Sequence, residues 1–206
     1  LECAQWICFR KRIMLKMLYF WRNAKPMKKG ILLVVVLVSV LFSSCEKDDI
    51  CDANTITTPR LVLSFYDINN PSVLKNVNQL KVVGEGMAEA VVFSPTAIGD
   101  SKYVTNASTI SLPLKVDQDV STYTLIFNSG NSNPALVFTD KIQINYSRIN
   151  SFVSRACGFK TNFSLRPINP ITHTAVPSTS GKWIQYISVE KTTIENENET
   201  HIKLFF

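Results

Sequence analysis

The side chains of this sequence that could do acid–base or metal chemistry are few and far apart. Its two histidines, His173 and His201, fall in different stretches, the first among prolines and the second at the head of an apolar run, so they make poor partners for one metal. HExxH, paired CxxC, calcium-loop, GxSxG and Walker patterns do not occur in residues 45–206. Gly84-Glu85-Gly86 lacks the third glycine and following helix of a dinucleotide fingerprint and reads as a hairpin turn. Asp48, Asp49 and Asp52 could supply oxygens to a hard cation, but calcium requires preorganised ligands, and this group reads as a solvated tether. No metal or cofactor is therefore expected. Asp67, Glu85 and Glu89 remain as acids that a hydrolase could set across a cleft, which requires a pair with separated pKa values in one pocket. Trp183 with Tyr186 and Tyr103 could stack a sugar ring, yet a single Trp heading an alternating strand reads first as core.

The five cysteines carry more information. Met27-Lys28-Lys29 precedes the apolar run Ile31–Phe42, which ends on Ser43-Ser44-Cys45. As a helix this run spans only about 18 Å, well short of a hydrocarbon core of about 30 Å, so residues 27–44 read as a secretory signal rather than a permanent membrane span. Leu41-Phe42-Ser43-Ser44-Cys45 resembles a bacterial lipobox, in which small residues let a peptidase cut just before a cysteine that carries diacylglycerol; Phe42 replaces the usual Leu. Cys45 is thus the expected lipidation site, and the membrane its first partner. Residues 1–26, with Cys3, Cys8 and six basic residues ahead of a complete signal, are expected to be an untranslated or non-native upstream extension. Cys51 and Cys157 are then left over. In an oxidising envelope an even pair reads as a disulfide; the rival, a reactive thiol at Cys157 favoured by Arg155, has no histidine nearby to act as base.

Charge excludes one class of partner. The chain has 22 Lys and Arg against 16 Asp and Glu, but residues 1–44 hold eight of the bases and one of the acids, leaving fourteen against fifteen. A near-neutral domain lacks the dense positive face that a phosphate backbone requires, so no nucleic-acid partner is expected.

The elements that must position these residues are strands. Residues 45–58 are polar and turn-rich, a tether. Beyond them Leu61, Leu63 and Phe65, then Ile110, Leu112, Leu114 and Val116, then Ile142, Ile144 and Tyr146 recur with period two. Leu80–Val83, Ala88–Phe93, Thr122–Phe127, Ala135–Thr139, Phe152–Phe159, Thr161–Leu165, Trp183–Thr192 and His201–Phe206 complete a set of nine to eleven expected strands. Breakers separate them, the longest being Arg166–Lys182 with three prolines. Turns about ten residues apart predict an all-β domain over 59–206, a single antiparallel β-sandwich, immunoglobulin-like or related, behind the signal peptide and short tether. Pro113 has no amide hydrogen, so its strand should lie on an edge or carry a bulge, and Phe205-Phe206 should be paired inside a sheet.

Cys45-Glu-Lys-Asp-Asp-Ile-Cys51, Thr58-Pro-Arg-Leu-Val-Leu-Ser-Phe-Tyr-Asp67, Leu80-Lys-Val-Val-Gly-Glu-Gly86, Ser154-Arg-Ala-Cys-Gly-Phe-Lys160 and Trp183-Ile-Gln together resemble an uncharacterised flavobacterial (Bacteroidota) lipoprotein family, a domain of unknown function, over nearly all of residues 45–206. The resemblance implies lipid attachment and one all-β domain, and brings no activity or ligand. Lys47, Asp48 and Asp49 resemble the Lys-acid-acid export signal of surface lipoproteins in that group. Two classes of function stay open. One is a non-catalytic binding or structural module, anchored in the outer membrane and facing the surface or the periplasm, with an envelope protein or glycan as partner. The other is a carboxylate-dependent envelope hydrolase.

Overall fold

Period-two stretches become strands because each can bury one face and wet the other. The computed structural model describes Cys51 and residues 58–177 and 182–206, where the chain forms eleven strands and two short 3₁₀ turns, Gly99–Tyr103 and Pro134–Leu136. The leader, Cys45, Lys47, Asp48, Asp49 and most of the tether lie outside the described residues.

The first sheet has four strands. Its two middle strands are β1 (Leu61–Tyr66) and β11 (Ile202–Phe205), flanked by β4 (Thr109–Leu112) on one edge and β9 (Tyr186–Val189) on the other. β1 is buried on both faces, which fits its nearly unbroken apolar run; its one polar inward residue, Ser64, is satisfied by Thr109 at 3.1 Å and Thr200 at 2.8 Å. The second sheet has seven strands. In spatial order these are β10 (Thr193–Ile194), β7 (Gly158–Leu165), β6 (Phe138–Ser154), β5 (Val120–Phe127), β2 (Leu80–Gly84) and β3 (Val104–Thr105), with β8 (Ile171–Ala175) pairing the first half of β6 beside β7. Leu61, Leu63, Phe65 and Leu204 from the first sheet join Leu80, Val82, Leu125, Ile142 and Ile144 from the second in one buried cluster. The fold is a β-sandwich.

Several expectations meet the structure directly. Phe205 lies in β11, paired on both sides, and the strand holding Pro113 is an edge strand that stops at Leu112, where the ladder would lose a donor. Other details differ from expectation. β1 and β11 run parallel, with Leu63 opposite Ile202, because the first and last strands are joined by the whole second sheet and no tight hairpin forces them antiparallel. Ala88–Phe93 forms no strand; it leaves the turn after β2, closed by Met87 N–H to Gly84 O at 3.0 Å with Gly86 at φ +84°, and is held by Val91 N–H to Val82 O at 2.8 Å and Phe93 N–H to Lys102 O at 2.9 Å. That turn opens into a long loop instead of a hairpin. Phe152–Phe159 is not one strand either, since the chain reverses at Arg155–Cys157 and Gly158 takes φ +70°. Within Arg166–Lys182, read as a loop, Ile171–Ala175 is a strand in register with β6, His173 opposite Ile142.

Candidate functional site

The carboxylates that could have formed a hydrolytic pair are held in separate surface ion pairs. Asp67 lies 3.8 Å from Lys75, Glu85 3.3 Å from Lys141, and Glu89 3.9 Å from Lys102 while also accepting the Tyr103 hydroxyl. Glu85 sits below the usual carboxylate range because Thr122 and Lys141 hydrogen-bond its charged form. Among the described residues no three of His, Cys, Asp and Glu gather as a metal site would require.

Trp183 is 8% exposed and belongs to the core. It stacks on Phe127 with ring centroids 5.2 Å apart and on Phe65 at 6.3 Å, and meets the edge of Phe206 at 5.4 Å. Tyr103 is buried beside β3, while Tyr186 lies exposed against Phe205 at the edge of the other sheet, so no aromatic platform is assembled.

Two histidines each hold structure together. His173 Nε2 lies 2.8 Å from Asp140 Oδ2, which also accepts the Ile184 N–H at 2.9 Å. Asp140 is fully buried on β6 and ties β8 and the Ile184 segment to that strand. Sequence reasoning missed it, although its place two residues before Ile142, in phase with Ile144 and Tyr146, marks an inward position. The His173 ring, 12% exposed, borders a groove of about 280 Å³ with Pro170, Ile171, Gln185, Tyr186, Ile187 and Val189. This lining offers no second carboxylate and no serine, threonine or cysteine, and the volume falls below the usual ~300–1,000 Å³ of ligand pockets. The dyad therefore reads as a structural clasp.

His201 is buried just before β11, where its Nδ1 accepts the Val62 N–H at 3.0 Å and its carbonyl accepts Glu190 N–H at 2.8 Å. Burial pushes its pKa below the ordinary histidine range, against the opposing pull of Glu199 and Glu197. Sign follows from linkage: the unfolded chain takes up a proton near pH 6.5 that the folded chain refuses, so the stability present above that pH is lost as pH falls through the folded-state value. Thermal melts between pH 7.5 and 5 should show a falling Tm, and His201→Asn, which keeps an acceptor near the Nδ1 position, should flatten that slope. An unchanged slope in the variant would assign the acid sensitivity elsewhere.

The arrangement that remains unexplained by packing is the β6–β7 hairpin. Opposite pairs Tyr146–Leu165, Arg148–Phe163, Asn150–Thr161 and Phe152–Phe159 place these side chains on one face. Near the sandwich that face is core: Tyr146 is buried, with its hydroxyl 2.7 Å from Ser121 Oγ and 2.8 Å from Lys115 O, and Phe163 meets its ring edge-on at 5.2 Å. Burial raises the Tyr146 pKa, so the phenol stays neutral. Toward the tip the same face runs out of partners. Phe152 is 61% and Phe159 69% exposed, packed edge to face on each other at 5.5 Å, and Ile149 is exposed on the opposite face. Arg148, at the hairpin base, is fixed by Asp119 at 2.6 Å and by Val116 O at 2.6 Å.

Cys157 sits in the hairpin turn, its N–H donating to Ser154 Oγ at 3.0 Å, and it is bonded to Cys51 with Cα atoms 4.9 Å apart. That separation lies within the range disulfides require. The bridge spans 106 positions of sequence and pins the chain just before β1 to the hairpin tip.

Compared with known proteins, the chain matches the model of a family of unknown function (DUF6452) over residues 79–206. No curated protein and no solved structure matches it.

Proposed function

Because the chain belongs to a family of unknown function (DUF6452), kinship brings it no activity, and we propose from its own residues that it is a lipid-anchored envelope module, non-catalytic, holding its β-sandwich beside a membrane. The observation that carries this reading is the Cys51–Cys157 bridge set against the leader that precedes it. A structural disulfide belongs to an oxidising compartment, and the Met27–Ser44 leader ending on Cys45 is the kind that delivers a chain there with a lipid attached. Partition of Asp67, Glu85 and Glu89 into separate surface ion pairs supports a binding or structural role over hydrolysis.

Replacing Cys45 by Ala tests the anchor. The parent chain should pellet with membranes and resist a salt wash, because several acyl chains bury far more CH₂ groups, at about 0.8 kcal/mol each, than the single chain that binds marginally. Cys45→Ala should be released as soluble protein or accumulate uncleaved. A variant that pellets like the parent would end the reading. Export is a second part of the proposal, resting on Lys47-Asp48-Asp49 beside the lipidated cysteine. Protease added to intact cells should digest the parent and spare a variant with all three changed to Ala; full protection of the parent would place it on the periplasmic side.

A further inference from the structure

We infer that the groove at the base of the β6–β7 hairpin is a binding site for a neutral sugar residue, whose hydroxyls are held by Asp119, Ser147, Arg148 and Asn150. The inference deepens the binding-module reading above by naming the class of partner, and rests on that reading for the absence of catalysis.

The groove has a volume of about 350 Å³ and is lined by Val116, Asp119, Ser147, Arg148 and Asn150, all of them exposed. That volume lies within the usual ~300–1,000 Å³ of ligand pockets, which the groove beside His173 does not reach. Its frame is fixed. The loop from Lys115 to Asp119 is tied to β6 by Tyr146 N–H to Asp119 O at 3.0 Å and by the Tyr146 hydroxyl to Lys115 O at 2.8 Å. Arg148 adds Nη1 to Val116 O and Nε to Asp119 Oδ1, both at 2.6 Å, and β6 is itself paired with β5 and β7. Side chains held in place before a ligand arrives lose little freedom when it enters.

What those bonds leave over is a set of matched donors and acceptors. Arg148 uses its Nε hydrogen and one on Nη1, so the rest of its guanidinium fork has no partner among the described residues. Thr161 Oγ1 donates to Asn150 Oδ1 at 3.0 Å, which orients the amide and leaves its Nδ2 hydrogens to donate. On the accepting side stand Asp119 Oδ2 and the lone pairs of Ser147 Oγ, whose hydrogen points to Ser164 O at 3.4 Å. A sugar hydroxyl both donates and accepts. Two neighbouring hydroxyls therefore match a groove in which a guanidinium and an amide stand beside a carboxylate and a hydroxyl.

Charge and polarity decide against the other ligand classes. Arg148 alone would suit a phosphate or carboxylate, but Asp119 lies against it at 2.6 Å, and Lys115 and Asp117 on the same loop add one charge of each sign. An anion would meet the Asp119 carboxylate as well as the guanidinium. An apolar ligand would strand the polar lining without water, since Val116 is the one apolar residue of the five. A neutral polyhydroxylated ring is what remains.

The test titrates the full chain, extracted from membranes in detergent, with cellohexaose, maltohexaose and mannohexaose, and with hexagalacturonate as the anionic comparison. Binding is read by calorimetry and by the NMR signals of Arg148 Nε–H and the Asn150 side-chain amide. At least one neutral hexaose should bind with Kd below about 1 mM, move both signals, and bind about tenfold more tightly than hexagalacturonate. Asn150→Ala removes from the fold only the exposed contact with Thr161, so it should melt as the parent does and bind about three- to tenfold more weakly. Arg148→Ala should abolish binding; because it also frees the loop, Asn150→Ala is the deciding variant. No response to any of the three neutral sugars at about 10 mM would overturn the inference. So would tighter binding of hexagalacturonate, which would make the groove an anion site, or parent-like affinity in Asn150→Ala, which would put the sugar elsewhere. Intact mass of the same samples separates the two proposals: a lipidated chain that binds no sugar removes the groove alone, and an unlipidated chain that binds one keeps the groove while removing the anchor.

Discussion

Loss of the Cys51–Cys157 bridge is expected to destabilise the sandwich by on the order of 4–5 kcal/mol, the chain-entropy value for a closed loop of about 100 residues. The loop it closes contains β1 through β6 and the turn after β6, so most of the fold lies inside it. For a domain of this size such a loss would lower Tm by about 10–20 °C and would take a large share of a typical ~5–15 kcal/mol total. Cys51→Ser and Cys157→Ser should show the same midpoint shift in non-reducing denaturant melts, and the double variant no more than either single one. Equal effects matter because each substitution removes the same covalent bond. Alkylation of the denatured, unreduced parent should label neither cysteine; two labelled thiols, or a midpoint unmoved by substitution, would remove the bridge from the account.

Asp140→Ala is the second large effect, expected at about 2–5 kcal/mol, because two donors lose the one acceptor they share and each buried donor left unpaired costs about 1–3 kcal/mol. Its side chain is fully buried, with Oδ2 accepting the Ile184 N–H and lying 2.8 Å from His173 Nε2, while its Oδ1 meets no donor among the described residues. Truncation leaves a buried amide hydrogen and a ring nitrogen without their acceptor. Asp140→Asn keeps one carbonyl oxygen and should lose less, about 1–3 kcal/mol. Urea midpoints for the two variants and for His173→Ala would rank them. If Asp140→Ala unfolds at the parent's midpoint, the clasp between β6, β8 and the Ile184 segment contributes nothing to stability, and the groove beside His173 would merit a functional reading instead.

Much of the sandwich was legible because its signal is local. β4 and the first half of β6 announce themselves by alternation, and Pro113 limits β4 by the one donor it lacks. Where the reading failed, the deciding contact was distant in sequence. Ile171–Ala175 alternates correctly but is only five residues long between prolines, and it becomes a strand by pairing with β6 about 30 residues earlier. Trp183–Thr192 shortens to Tyr186–Val189 because Trp183 and Ile184 turn inward to the core and to Asp140. The hairpin turn at Arg155–Cys157 was masked by apolar residues on either side, Phe152 and Phe159, with Gly158 as the punctuation that could have revealed it. Those same two residues read as strand interior and proved to be an exposed pair. Cysteine counting paired Cys51 with Cys157; that the bond would reach the tip of that hairpin required the fold.

The central claim, a disulfide-bonded chain anchored in an envelope by lipid on Cys45, is tested most directly by the intact mass of the protein extracted from its own membranes. The account predicts a chain beginning at Cys45, heavier than the unmodified sequence by a diacylglycerol group and an amide-linked acyl chain, with the mass of one disulfide between Cys51 and Cys157. A chain that retains residues ahead of Cys45, or begins there without added lipid, would contradict it.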